Sequence, residues 1–396
     1  MIELIIQVVD IFYTDVFKRY STKYNIYRDL YEKDLLGLEI RSISYKIANK
    51  IKKIILSNKE ICYTTNKQEN DNVDLLVLGS FGVFKELSKE IIAIGNEDIG
   101  FKINKTLNNI SGYDKTNLNI SSNITSPERA LLVGIVNVTP DSFSDGGKYF
   151  DTNLAIDYSL KLIEEGADII DIGGESTRPG ADPVTLDEEL KRVISVIEGI
   201  LKKNPNAIIS IDTQKSVVAY EALKIGAKIV NDISAGSSDI KMMDIVKEFD
   251  ASMILMHMKG NPKTMQQNPF YDDVVSEVYD YLINKVEIAK KYEIKNLIVD
   301  PGIGFGKRVM DNYEILKRLN EFKGIGCPIM VGLSKKSFIG KALNLDVDKR
   351  EDPTLVAETI AIQNGAKLIR THNVKKALTA IKINLFVENP ELLSNV

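Results

Sequence analysis

The residues of this chain that could do chemistry are unevenly spread. From about residue 130 onward they recur just after short apolar runs. Asn137-Val-Thr-Pro-Asp141 follows the first run, Asp171-Ile-Gly-Gly-Glu175 the second, Asp212-Thr213 the third and Asn231-Asp232 the fourth. His257 follows the fifth, Asp300-Pro-Gly-Ile-Gly-Phe305-Gly-Lys307 the sixth, Ser334-Lys335-Lys336-Ser337 the seventh and Arg370-Thr371-His372-Asn373 the eighth. Acceptors at Asp212, Asn231 and Asp300 suit a flat heterocycle with an amidine-like edge. A carboxylate can accept two parallel hydrogen bonds, from a ring N–H and an exocyclic amine. Lys336 could reach a ring oxygen on the opposite edge. Arg370 and His372 lie two residues apart on a strand and so share a face. They offer a planar fork and a further donor to a phosphate or pyrophosphate. Asn137 could orient that phosphate, or a Mg²⁺ carried with it, which needs few protein ligands. Taken singly, Asp212 and Asp300 fit a helix N-cap equally well, Asn231 a turn and His257 a core position. Eight such groups in register point to a single site.

The elements that would position them follow from the same pattern. Apolar runs at 131–138, 168–172, 207–211, 228–230, 252–256, 296–299, 328–331 and 367–369 read as buried parallel strands. Amphipathic stretches at about 153–165, 187–203, 215–225, 239–249, 273–291, 311–322, 354–364 and 374–386 read as helices. Strand and helix alternating eight times predict a (β/α)₈ TIM barrel, whose active sites gather at the C-terminal ends of the strands. A doubly wound open sheet is the competing arrangement, but no Gly-rich dinucleotide loop follows the first strand. The loops at 139–149 and 173–183 are rich in small residues and carry Phe143 and Arg178; they read as lids that close on a ligand. Residues 1–104 are expected to form a smaller α/β extension, with helices near 10–20, 34–56 and 82–92 and a strand at 73–79, and they show no motif. Residues 105–128 are rich in Asn, Ser, Thr and Lys and read as a linker, leaving 129–396 for the barrel.

Bulk composition narrows the function. Of 396 residues 44% are apolar, and 51 Lys plus Arg stand against 55 Asp plus Glu, a net charge of −4. That balance argues against a nucleic-acid partner, so an anionic ligand must be held by a few placed cations. There are two cysteines, Cys62 and Cys327, and no paired-cysteine zinc pattern, which fits a reducing cytoplasm. No apolar run approaches the ~18 residues of a membrane span, so no membrane partner is expected.

The motifs resemble those of dihydropteroate synthases, in that family's order. They are Asn137 to Gly147, Gly174 to Gly180, Ile211 to Thr213, Leu255 to Gln266, Asp300 to Lys307 and Gly332 to Ser337, and the likeness runs over about 130–388. The resemblance implies a transferase of folate biosynthesis. It would condense 6-hydroxymethyl-7,8-dihydropterin pyrophosphate with 4-aminobenzoate, releasing pyrophosphate, with Mg²⁺ assisting and a homodimer as the usual assembly. It implies pterin contacts at Asp212, Asn231, Asp300 and Lys336, a substrate contact at Phe305, and a pyrophosphate site at Asn137, Arg370 and His372. A p-aminobenzoate pocket would be built from Phe143, Thr177, Arg178, Pro179 and Ser334. Asn137, Asp212, Lys336, Arg370 and His372 would then carry the catalysis. Lys335, Ile303 and Asn373 stand where the family usually has Arg, an aromatic and Asp; none removes a group the chemistry requires. A pterin barrel that transfers methyl groups to a corrinoid would share Asp212, Asn231 and Asp300. It would not need the Ser176-Thr-Arg-Pro-Gly180 loop, the paired lysines or Arg370 with His372. A non-catalytic pterin binder would have to lack a key group, and all are present. A related arylamine in place of 4-aminobenzoate stays open.

Overall fold

The computed structural model of the chain describes residues 4–11, 13–26, 36–58, 61–65, 71–115, 129–139, 152–176 and 182–394. They fall into two units, one of 1–115 with Glu321–Gly326 and one holding the rest. In the first unit, strands β1 (Ile5–Val9), β2 (Leu36–Ser44), β3 (Ile61–Thr64) and β4 (Asn72–Gly79) form an antiparallel sheet in the order β1-β2-β4-β3. Four helices accompany them: α1 (Thr14–Tyr24), α2 (Tyr45–Ser57), α3 (Phe81–Ala93) and α4 (Glu97–Ser111). Strand residues alternate between two cores. Leu38, Ile40, Leu75 and Val77 pack with Ile51, Phe84 and Ile103 of α2, α3 and α4. Leu76 and Leu78 pack with Val16, Tyr20 and Tyr24 of α1.

Two expectations for this unit are corrected. The helix expected over 34–56 is a strand followed by a helix. Residues 36–44 alternate every second position, burying Leu38 and Ile40 on one face and Glu39 on the other. Ser44 then caps α2, its Oγ accepting from the Ile47 N–H at 3.4 Å. The stretch read as linker from 105 is helical at its start: α4 runs through Ser111, and a 3₁₀ turn follows at Tyr113–Lys115. Ile103, Thr106 and Leu107 are buried along one face, and that spacing outweighs the polar composition.

The second unit begins with β5 (Leu131–Asn137), α5 (Thr152–Glu164), β6 (Ile169–Gly173), α6 (Leu186–Lys203), β7 (Ile209–Asp212), α7 (Ser216–Lys224), β8 (Ile229–Asp232) and α8 (Met242–Glu248). It continues with β9 (Ser252–Met256), α9 (Val274–Lys291), β10 (Leu297–Asp300), α10 (Val309–Lys317), β11 (Ile329–Gly332), α11 (Ser337–Leu343), α12 (Glu351–Gln363), β12 (Ala366–Thr371) and α13 (Val374–Glu388). Strands β5 to β12 close into one parallel barrel. Helix α6 shows the local signals most fully. In α6, Thr185 caps the start, three acidic residues occupy the first turn and Lys202 and Lys203 the last, matching the helix dipole. Its buried stripe is Val193, Val196, Ile197 and Ile200. The short α11 is additional to the eight helices read from the pattern.

Alternation along the strands divides the barrel interior into layers. The lower layer is apolar: Leu131, Val133, Ile169, Ile208, Ile229, Ile254, Ile298, Met330 and Leu368 form one buried cluster. Two residues further along their strands, the same inward face carries Asp171, Ser210, Asn231, Asp300 and Arg370. Each fully buried Leu or Ile contributes about 1.5–3 kcal/mol. The apolar layer thus stabilises a rim at which charge is tolerated. No helix of the described residues is long and apolar enough to cross a membrane.

Candidate active site

Asn137, Asp212, Asn231, Asp300 and Arg370 sit at or near the C-terminal ends of five strands and share the inward face. Lys336 follows β11, and His372 follows β12. The centre is a charged lattice. Arg370 Nη2 donates to Asp212 Oδ2 at 2.7 Å, and Arg370 Nε donates to Asp171 Oδ2 at 2.6 Å. Asn231 Nδ2 donates to the same Asp171 oxygen at 3.0 Å. Neither carboxylate predicted as a possible helix cap is one. Asp212 is held by Arg370, and the first N–H of α7, at Ser216, is taken by Asp239 instead. Asp300 Oδ1 accepts from its own loop at Gly302 N, 2.7 Å away, leaving Oδ2 for other work.

Burial and neighbouring charge tune these groups. Burial pushes the Asp212 carboxyl up to about 7; Arg370 opposes the rise, while Asp171, Glu189 and Asp232 add to it. Burial likewise raises Asp300, against Gly302 N–H, Lys336, Lys307 and Arg370. Burial lowers the Lys336 ammonium to about 8 against the pull of Asp300 and Asp212. These groups feel one another's charge and therefore share a small volume. Lys336 Nζ donates to Ile303 O at 2.8 Å and lies 4.2 Å from the centre of the Phe305 ring, a cation–π contact.

Where β11 and β12 end, Ser334 Oγ and His372 Nδ1 share a hydrogen bond of 2.9 Å, and His372 N donates to the same oxygen at 3.3 Å. Tyr158 OH donates to His372 O at 3.4 Å. Asn373 caps α13, its side chain accepting from Lys376 N and donating to Glu351. Asn137 ends β5 level with Gly173 and Asp212.

His257 departs from the mouth. It is 6% exposed, and its Nδ1 meets Lys307 Nζ at 2.9 Å. Burial, together with Lys307 and Lys259, holds its pKa well below the usual value, so the neutral ring accepts from Lys307. Lys307 also donates to Gly302 O and Phe305 O, at 2.9 and 3.1 Å. The pair fixes the loop that carries Phe305. Gly302 has φ +67, and a Cβ there would collide with the His257 carbonyl, so glycine is required. Phe143, Thr177, Arg178 and Pro179 lie outside the described residues. A cavity of about 430 Å³ beside the Phe305 loop is lined by Gln266, Gly304, Arg308, Asn312, Ser337 and Lys341 among others, and none of the inward strand-end groups lines it.

Two features escaped the sequence reading. Asp171 signals itself in the sequence only as a charge inside an apolar run. Lys215 bridges Glu175 and the buried Glu189, and Thr213 Oγ1 donates to Glu189 at 2.6 Å. Glu189 is a charge on the buried face of α6, the signal that could have flagged it.

A closed parallel barrel with carboxylates, a lysine and an arginine converging at its C-terminal mouth defines a barrel enzyme that grips a polar heterocycle. The chain belongs to the pterin binding enzyme family, whose pattern matches residues 133–372. Within it the chain stands with the dihydropteroate synthases. It is 44% identical over 254 residues to the Escherichia coli (strain K12) enzyme, covering 64% of this chain and 89% of that one. To the Bacillus subtilis (strain 168) enzyme it is 42% identical over 264 residues, covering 66% and 90%. Among solved structures, the Xanthomonas albilineans dihydropteroate synthase with 4-aminobenzoic acid superposes with a TM-score of 0.65 at 39% identity, covering 69% of this chain and 98% of that one.

Proposed function

We infer that this chain catalyses dihydropteroate synthesis. It joins 6-hydroxymethyl-7,8-dihydropterin pyrophosphate to 4-aminobenzoate and releases pyrophosphate and 7,8-dihydropteroate. The carrying observation is the convergence of Asp212, Asn231, Asp300, Lys336 and Arg370 on one rim, in a chain whose curated relatives are dihydropteroate synthases. Asp212, Asn231 and the free oxygen of Asp300 meet the donor edge of the pterin, and Lys336 meets its ring oxygen. Phe305 contributes an apolar face beside Lys336. Arg370 and His372 take the diphosphate oxygens, Ser334 steadying His372.

The methylene C–O bond breaks, with its electron pair leaving on the diphosphate. The positive charge left on the methylene is spread over the dihydropterin ring and held by Asp212 and Asp300. The amine nitrogen of the arylamine then forms the new C–N bond and sheds a proton. No nucleophilic side chain is needed; the site works by charge placement and positioning. Phe143, Thr177, Arg178, Pro179 and Ser334 form the arylamine pocket on this reading.

Mg²⁺ fits the donor set. Among the described residues no three His, Cys, Asp or Glu side chains gather as a metal cage. A Mg²⁺ carried on a diphosphate needs only one or two hard oxygen donors, and the Asn137 amide at the rim is one. Bound there, the ion would neutralise the leaving group. The homodimer is supported by exposed apolar pairs on neighbouring helices: Val356 and Ile360 of α12, and Ile383 and Val387 of α13. Calorimetry on Asp300→Asn tests the pterin assignment. The amide keeps one oxygen on Gly302 N and turns its NH₂ toward a ring donor, so pterin pyrophosphate affinity falls by about 1.5–3 kcal/mol, or tenfold to a hundredfold. Unchanged affinity would reject it.

A further inference from the structure

Asp171 is a fully buried carboxylate in the barrel that the mechanism above leaves without a task. It is 0% exposed, and a buried charge is tolerated only with good partners. Its partners are unusual. Asp232 accepts from Ser234 N, Ser234 Oγ and Gly236 N, and Asp300 Oδ1 accepts from Gly302 N, so each is tied to backbone N–H groups of its own loop. Among the described residues Asp171 bonds no backbone group at all. Both of its hydrogen bonds fall on one oxygen, from Asn231 Nδ2 at 3.0 Å and Arg370 Nε at 2.6 Å. Its register places it level with Ile135 and Ser210, one inward layer below Asn137, Gly173 and Asp212. It therefore lies one layer beneath the rim and touches the groups that form it.

We propose that Asp171 is the positioning residue of the pterin site, orienting Asn231 toward the heterocycle and Arg370 toward the leaving group from a single carboxylate oxygen. The chemistry follows from donor and acceptor types. A carboxylate accepts only, so it draws the amide NH₂ of Asn231 downward and leaves the amide oxygen to face a ring donor. Arg370 gives Nε to Asp171 and Nη2 to Asp212, which fixes the guanidinium plane. Nη1 has no hydrogen bond to a described residue and remains for a diphosphate oxygen. One side chain thus ties the two halves of the substrate site together.

This inference rests on the functional reading above, and a double-mutant cycle separates the two. Wild type, Asp171→Asn, Asn231→Ala and the double variant are titrated with 6-hydroxymethyl-7,8-dihydropterin pyrophosphate by calorimetry, with circular dichroism to confirm folding. Asp171→Asn is expected to lose about tenfold or more in affinity, the scale of a charge-assisted hydrogen bond. In the Asn231→Ala background the same change costs less, because one of the groups it orients is gone. The pH dependence adds a readout that loosened packing would not move. Asp212 is faced by Arg370, Asp171, Glu189 and Asp232, and by the Lys336 ammonium. Removing the Asp171 charge takes away a like charge that raises Asp212 and leaves the cations Arg370 and Lys336 beside it, so the acid limb of pterin binding moves to lower pH. Affinity within about twofold of wild type, additive losses or an unmoved acid limb would each overturn the proposal. Should Asp171→Asn fail to fold, Asp171→Ser, which leaves room for water, repeats the cycle. A wild type that binds the pterin yet forms no dihydropteroate overturns the functional reading and leaves the cycle interpretable.

Discussion

Arg370 shows what a single residue does when two carboxylates share it. With Asp212 raised to about 7 and Lys336 lowered to about 8, the charged forms of both coexist over a narrow range. Asp212 loses its charge as pH falls through its raised value. Lys336 loses its charge as pH rises through its lowered one. We therefore expect kcat/KM for the pterin substrate to be bell-shaped, with limbs near pH 7 and pH 8. Asp212→Asn should abolish the acid limb and lower the maximum; a profile flat from pH 6 to 9 in wild type would contradict the assignment. Lys336→Ala removes both the ring-oxygen donor and the cation over Phe305. A loss of about 10²–10³ in kcat/KM is expected in steady-state assays. Most of these residues were legible in the sequence because a charge at the end of an apolar run has few structural reasons to be there. His257 was less legible. Its position matches that of the others, but its partner Lys307 lies fifty residues on and turns it into a brace for a loop.

Legibility at the level of elements tracks the strength of the periodic signal. The eight barrel strands stand out because both faces of a parallel sheet are covered, giving short continuous apolar runs. The helix α11 did not, since Ser337–Leu343 is only seven residues and follows the lysine pair without a break in pattern. The β2 and α2 pair resembles one helix because Ile recurs every three or four residues from Ile40 to Ile55, while the two-residue alternation in 36–44 is the deciding feature. The β10–α10 loop bears the sharpest element-level prediction. Gly302→Ala forces a side chain into the His257 carbonyl at φ +67, so unfolding stability should fall by about 2 kcal/mol or more in urea titration. A variant as stable as wild type would show that the loop adapts freely.

The exposed pairs Val356 with Ile360 and Ile383 with Val387 lie at helical spacing on α12 and α13. Light scattering should give twice the chain mass, and Ile383→Asp with Val387→Asp should give one; a monomeric wild type would refute the homodimer. The first unit gave no motif in the sequence, and its antiparallel sheet follows local alternation that only pairing makes evident. The most direct measurement mixes the purified full chain with Mg²⁺, 6-hydroxymethyl-7,8-dihydropterin pyrophosphate and 4-aminobenzoate. It then follows dihydropteroate by chromatography and pyrophosphate by a coupled assay. Equal amounts of both products, lost in Arg370→Ala, are predicted. A folded protein that yields neither, or that releases pyrophosphate without forming dihydropteroate, would contradict the account.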